Sequence, residues 1–204
     1  ASLRHQLYTP DFQSQLSGFD AVQIQRQVFS QANVSDMREK MLYVDSQLFL
    51  PDDCLFKVDR MSMANSLEVR VPLLDHYVVE FANRIPFSMK MNGVRTKVVL
   101  KEAVKHLLPK QILRQRKQGF TVPLASWLRG DLGHTVEKVI LRSSATHRGL
   151  FKPEVIQCMF KDHRAGVANF SERIWTLFTF EVWARIYLDQ ETLSKPNIQI
   201  KDLM

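Results

Sequence analysis

Residues 51–75 read PDDCLFKVDRMSMANSLEVRVPLLD. Asp52, Asp53, Lys57, Asp59, Arg60, Glu68, Arg70 and Asp75 lie there among Leu, Val and Met. A solvated helix face separates charged from apolar residues more cleanly, so the mixture predicts a segment buried at least in part. Charges inside an apolar wall need partners, because an unpaired buried charge is very costly. A binding site for a charged small molecule meets that need. So does a structural cluster of ion pairs, and the pattern leaves both open.

Helical periodicity extends outward on both sides. Asp20 to Ala32 reads as one helix. Ser35 is placed to cap a second, with the stripe Met37, Met41, Val44 and Leu48, ended by Pro51. A helix from about Leu55 to Ser66 follows, then an extended Glu68–Val71 closed by Pro72. Asp75 caps a helix through Val78, Val79, Phe81 and Ala82 that stops before Pro86. The M-N-G turn predicts a small hairpin within Ser88–Arg95. Thr96 is placed to cap an amphipathic helix with Val99, Leu100, Ala103, Val104 and Leu107 inward.

Pro109 opens a short helix. Arg114 to Pro123 has no periodicity and reads as a loop; the next helix, LASWLRG, ends at Gly130. Further helices are predicted near Leu132–Leu141, Pro153–Arg164 and Ser171–Leu188. The last is apolar nearly all round, as a helix central to a core would be. Residues 1–19 read as a poorly ordered or linker start and 190–204 as a polar tail, leaving 20–189 as the folded body. There is no repeat and no βαβ unit, so the fold class is mainly α.

The 204 residues are 45% hydrophobic and 24% charged, ordinary for a globular chain. No apolar run approaches the roughly 20 residues of a membrane span, so no membrane partner is expected. The chain starts Ala1–Ser2–Leu3–Arg4, with no initiator Met and no signal-peptide pattern, and is expected to be a piece of a longer protein. Cys54 and Cys158 are far apart and outside any C-x-x-C, which predicts two buried thiols in a reducing, cytoplasmic setting. The six histidines are scattered without ligand spacing, so no metal site is expected. A net charge of +7 suits anionic partners, from nucleic acid to nucleotide phosphates.

Familiar catalytic devices are absent. There is no P-loop, no G-x-G-x-x-G, and no Gly-rich loop to cradle phosphate. One loop is chemically suggestive. Lys117 sits in R-x-R-K-Q-G-F, where Gly119 removes steric cover and Phe120 can anchor the backbone. A lysine offers a compact cation with three donors for a phosphoryl group gaining charge; a plain solvated surface lysine is the competing reading.

Three blocks carry a resemblance. YVDSQLFLPDDCLFKVDRMSMANSLEVRVPLLDH (43–76), the helix with Lys97 and Lys101 before Leu107–Leu108–Pro109, and KQGFTVPLASWLRGDL (117–132) occur in order. Together they resemble the C-terminal part of the asparagine synthetase (glutamine-hydrolysing) family, over about Asp20 to Leu188.

The resemblance implies ATP-dependent amide synthesis. A side-chain carboxylate, aspartate in the family, is adenylated with release of pyrophosphate, and glutamine-derived ammonia attacks the acyl-adenylate. ATP and Mg2+ would serve the intact enzyme, with neither expected on this piece. Lys117 matches the family lysine that contacts phosphate oxygens during adenylation. Lys57, Asp59, Arg60, Glu68 and Arg70 match patterned positions near the aspartate and nucleotide pocket. Whether they touch substrate or brace the site wall stays open.

The implied fold is the helical C-terminal portion of an α/β PP-loop ATP pyrophosphatase domain, of the adenine nucleotide α-hydrolase-like class. Three family features are missing here: the Ser-Gly-Gly-x-Asp-Ser loop, the acidic Gly-rich segment that helps hold magnesium, and the N-terminal nucleophilic cysteine. Arg116 stands where the family often has proline. The expected partners are therefore an N-terminal glutaminase domain and a nucleotide-binding sheet, and the piece alone is expected to be inactive. Apolar surface left where the sheet would pack would favour a homo-oligomer. The alternatives are a relative acting on another carboxylate, or a basic helical nucleic-acid-binding module built on Lys97–Lys117. For the latter no recognised motif appears, and no nucleic-acid partner is expected.

Overall fold

The computed structural model describes residues 3–115, 119, 122–142 and 146–189, which are mainly helical. The chain forms two compact units. The first takes residues up to Phe19 and from Gly119 onward; the second is Asp20–Gln118. The 20–189 body read from the sequence is thus divided. The polar tail 190–204 lies outside the described residues.

In the first unit α1 (Leu3–Leu7) and α2 (Pro10–Gln15) begin the chain. Helices α10 (Leu124–Arg129), α11 (Asp131–Ile140), α12 (Pro153–Arg164) and α13 (Ser171–Tyr187) complete it. The packing follows helical spacing. On α12 the buried positions are 156, 159, 160 and 163, and on α13 they include 174, 177, 181 and 184. Leu7, Leu128, Val136, Ile140, Ile156, Met159, Phe160, Ile174 and Leu177 form one core. Burial of each large side chain contributes roughly 1.5–3 kcal/mol. Helix α13 has the central role expected on one face only. Trp175, Trp183 and Tyr187 on its other sides are exposed.

Two polar groups enter this core with partners. His163 is fully buried; the Phe170 N–H donates to its Nδ1 at 3.2 Å, so Nε2 carries the proton and donates to the Ala125 carbonyl at 3.1 Å. One ring thus ties α10 and α12 to the entry of α13. Glu181 of α13 accepts from Arg185 at 2.6 Å and from Arg148, which also pairs with Asp189.

The chain start departs from the poorly ordered linker expected of it. Thr9 caps α2, accepting from the Phe12 N–H, with Pro10 at the first helical position. The Lys152 N–H donates to Leu7 O at 2.8 Å and the Thr9 N–H to Leu150 O at 3.1 Å, forming a bridge at Tyr8 and Phe151. Tyr8, Phe12 and Phe151 pack as an aromatic trio. Cys158, expected to be buried, is exposed on α12; Cys54 is half-buried.

The second unit contains α3 (Val22–Gln31), α4 (Met37–Val44), a π-helix (Asp45–Leu55) and α5 (Phe56–Met63). A 3₁₀ turn (Pro72–Leu74), α6 (His76–Arg84) and α7 (Phe87–Lys90) follow. The unit ends with α8 (Val98–Val104) and α9 (Lys110–Arg114). Between α7 and α8, β1 (Met91–Asn92) pairs antiparallel with β2 (Arg95–Thr96) in register 91↔96 and 92↔95. Gly93 supplies the positive φ of that turn. Among its described residues only Ala32 and Phe87 are buried apolar side chains. Phe49, Phe56, Met61, Met63, Leu67, Leu73 and Phe81 are all more than half exposed. The 51–75 stretch is thus not buried as its composition predicts.

Three local expectations are corrected. Pro51 does not end the second helix, because α4, the π-helix and α5 run without a break over 37–63. In an α-helix the Pro51 ring would meet the carbonyl four residues back, and the wider π register relieves that clash. Asp36, not Ser35, caps α4, accepting from the Arg38 N–H at 2.8 Å. Hydrogen bonds from the Arg38 side chain and then its backbone lower the Asp36 carboxyl to about 2. Thr96 belongs to β2, and Lys97 takes the position before α8 in the left-handed conformation, φ 57°. Asp75 caps α6 as expected, accepting from Tyr77. Among the described residues no helix is long and apolar enough to cross a membrane.

Candidate functional site

The site begins where α5 stops. Leu67 donates its N–H to Ser62 O at 3.0 Å and Ser66 donates to Met63 O at 3.0 Å. These two bonds form a Schellman closure, which needs a left-handed residue. Ser66 takes that role at φ 56°, although Asn65 beside it is the residue type that more readily accepts such a backbone. The Asn65 amide donates instead to Met61 O at 2.9 Å. The reversal carries the chain from α5 into the extended 67–71 segment.

This turn brings one α5 charge, Asp59, to the same surface as Glu68 and Arg70. Asp59, Met63, Ser66, Glu68, Val69 and Arg70 line an open concavity of about 460 Å³. Three sequence-predicted residues, Asp59, Glu68 and Arg70, therefore share one surface. Lys57 and Arg60 are not in its lining. Lys57 Nζ reaches back to Asp53 at 3.4 Å. The Arg60 guanidinium stacks 5.2 Å over the Phe56 ring, with Nε 3.8 Å from the Asp59 carboxylate. Reasoning from charge missed Met63, Ser66 and Val69. Only a Schellman reading of M-A-N-S-L would have found Ser66.

Electrostatically the concavity pairs acids with guanidinium groups. Glu68 binds Arg70 by a direct ion pair, and Asp59 lies near Arg60. The Arg70 and Glu68 side chains are 86% and 67% exposed. A pair so exposed contributes at most about 1 kcal/mol, so a ligand carboxylate competes with Glu68 for Arg70 at little cost. The lining holds no His, Cys or Lys. Its polar groups offer charge and hydrogen bonding.

Lys117, the residue with the strongest chemical argument, lies outside the described residues, as do Arg116 and Phe120. Among the described residues no three His, Cys, Asp or Glu side chains gather as metal ligands. The two carboxylates of the concavity face guanidinium groups, which does not suit Mg2+.

The asparagine synthase family profile matches residues 2–185. Asparagine synthetase [glutamine-hydrolyzing] 1 of Bacillus subtilis strain 168 is 37% identical over 163 residues, covering 78% of this chain and 26% of that protein. A putative asparagine synthetase [glutamine-hydrolyzing] of Mycobacterium bovis is 33% identical over 178 residues, covering 85% and 27%. Amidase chyE of Penicillium rubens is 28% identical over 114 residues, covering 52% and 17%. The chain thus spans about a quarter of the length of the two synthetase relatives. No solved structure matches it.

Proposed function

The chain belongs to the asparagine synthase family, and from that membership we propose that it is the helical C-terminal part of an ATP-dependent amide synthetase. The proposed reaction joins aspartate and glutamine-derived ammonia with cleavage of ATP to AMP and pyrophosphate. The observation that carries this reading is the family match over residues 2–185, which includes the whole 59–70 concavity.

In this reading a carboxylate oxygen of aspartate attacks the α-phosphorus of ATP and the bond to pyrophosphate breaks. Ammonia then attacks the acyl carbon, and AMP leaves with its bonding pair. Lys117 is the catalytic residue, its ammonium neutralising charge that grows on the phosphate oxygens. Asp59, Glu68 and Arg70 offer a charged wall to the amino-acid substrate; Lys57 and Arg60 brace α5 through Asp53 and Phe56. The two carboxylates of the concavity lie against guanidinium groups, and we assign the ligands for Mg2+ and the loop for ATP phosphates to a PP-loop sheet elsewhere in a longer protein. A glutaminase domain there supplies ammonia. A cytoplasmic setting suits ATP and a reduced Cys158.

A second reading, amide formation on another carboxylate, draws support from the similarity to an amidase. The test is Lys117→Ala in the intact protein. Pyrophosphate release with aspartate should fall by orders of magnitude, with glutamine hydrolysis retained. Unchanged pyrophosphate release removes Lys117 from the chemistry. Release that depends on a carboxylate other than aspartate selects the second reading.

A further inference from the structure

The geometry points to a second small-molecule site, a concavity of about 390 Å³ in the Asp20–Gln118 unit whose lining fits a free α-amino acid with a side-chain amide. It shares no lining residue with the 59–70 concavity, so it stands apart from the amide-synthesis reading above.

One arginine supplies the framework. Asp36 accepts two hydrogen bonds from the Arg38 side chain, at 3.0 and 2.6 Å. The same guanidinium lies 4.1 Å from the ring centre of buried Phe87. That contact ties the start of α4 to α7. Glu39 follows Arg38 in sequence, Lys90 lies one turn beyond Phe87, and both line the concavity. Each is half-buried, and among the described residues neither enters an ion pair. The Arg38 charge is already engaged by Asp36, which leaves the Glu39 carboxylate to accept from a ligand ammonium. Lys90 offers its donors to a ligand carboxylate. An acid and a base in one lining, not closed on each other, match the head group of a zwitterion.

The remaining lining selects the side chain. Asn33, Gln47 and Asn83 each carry both a donor and an acceptor, which suits an amide. A ligand side chain with a negative charge would need a further cation, and Lys90 is the only one in the described lining. Leu42, Leu50 and Val79 can cover the methylenes between head group and amide.

The test titrates L-glutamine into the 204-residue chain, with backbone amide shifts followed by NMR and affinity by calorimetry. Saturable binding should move the amides of residues 32–34 and 83. Glutaramate lacks the ammonium and γ-aminobutyramide lacks the carboxylate. Each should bind the unaltered chain at least about tenfold more weakly than L-glutamine. Glu39→Gln should weaken L-glutamine by a similar factor and leave glutaramate unchanged. Lys90→Gln should weaken L-glutamine likewise and leave γ-aminobutyramide unchanged. L-Asparagine runs alongside, and the tighter of the two amides is the occupant. Three results overturn the assignment: no saturation by about 10 mM of either amide, tighter binding of L-aspartate than of both, or binding that both substitutions leave unaltered.

Discussion

The carbonyl oxygen of Leu128 occupies the space that a side chain at Gly133 would need: a β-carbon built on Gly133 would lie 1.9 Å from it. Helix α10 ends and α11 begins within three residues, and only a bare α-carbon lets the two backbones meet so closely. Gly133→Ala must push these helices apart at fully buried Leu128 and Val136. The expected loss is about 3 kcal/mol or more, read from the urea midpoint. A midpoint shifted by under about 0.5 kcal/mol equivalent would show that the corner is looser than described.

Glu181 is the only acid found within the buried set of the described residues, and two guanidinium groups close on it. Arg148 and Arg185 are themselves 14% and 11% exposed. Removing the carboxylate strands like charges in a poorly solvated place. Glu181→Ala should cost about 3–5 kcal/mol by equilibrium unfolding. Arg148→Met and Arg185→Met combined with Glu181→Leu should recover much of that loss, since all three buried charges then go together and only the part-exposed Asp189 loses a partner. A triple variant no more stable than the single one would count against an electrostatic origin.

Ser66 holds a left-handed backbone with a side chain attached, at φ 56°. Glycine carries no such penalty, so Ser66→Gly should stabilise the turn by about 1 kcal/mol. Thermal unfolding of the two chains makes the comparison. A lower melting temperature for the glycine variant would mean that the hydroxyl contributes more than the backbone costs.

Asp36 links helix start to pH. Its carboxyl is lowered from 3.8 to about 2 by Arg38, so the folded state favours the ionised cap. The sign follows from linkage: the contribution is complete above pH 3.8, and is lost as pH falls from there through about 2. Helix α4 should loosen over that window, seen as a fall in the protection of the Arg38 and Glu39 amides relative to an unstructured chain at the same pH. Asp36→Asn keeps a capping oxygen and should abolish that pH dependence. If the protection of these amides stays constant down to about pH 2, the Arg38 contact does not hold in solution.

Much of the helical layout was legible, and the reasons are local. Pro153 opens α12 and Ser171 begins α13 where predicted, because proline geometry and the start of a long apolar pattern act within a few residues. The turn at Asn92–Gly93 was equally plain. Adjacent good capping residues defeated the choice between Ser35 and Asp36, which Arg38 decides through a side-chain bond. Pro51 misled because proline usually ends a helix, whereas here the helix widens around it. Charge pattern brought forward Asp59, Glu68 and Arg70, which share the concavity, but not the separate engagements of Lys57 with Asp53 and Arg60 with Phe56, which follow from i,i+4 spacing once the helix is continuous. Burial of 51–75 was misjudged because hydrophobic content specifies a need for cover, not which segment provides it.

The bond from Thr9 to Gly149 joins residues 140 positions apart, and the Tyr8–Phe151 bridge lies beside it. During synthesis at about 5–20 residues per second, the opening helices therefore wait roughly 7–28 s for their partners to be made. Throughout that interval Leu7 has no core to enter, while all of Asp20–Gln118 is translated and can organise through contacts close in sequence. The order of translation thus leaves Leu7 and the aromatic side chains beside it without cover until residues 149–152 have been made.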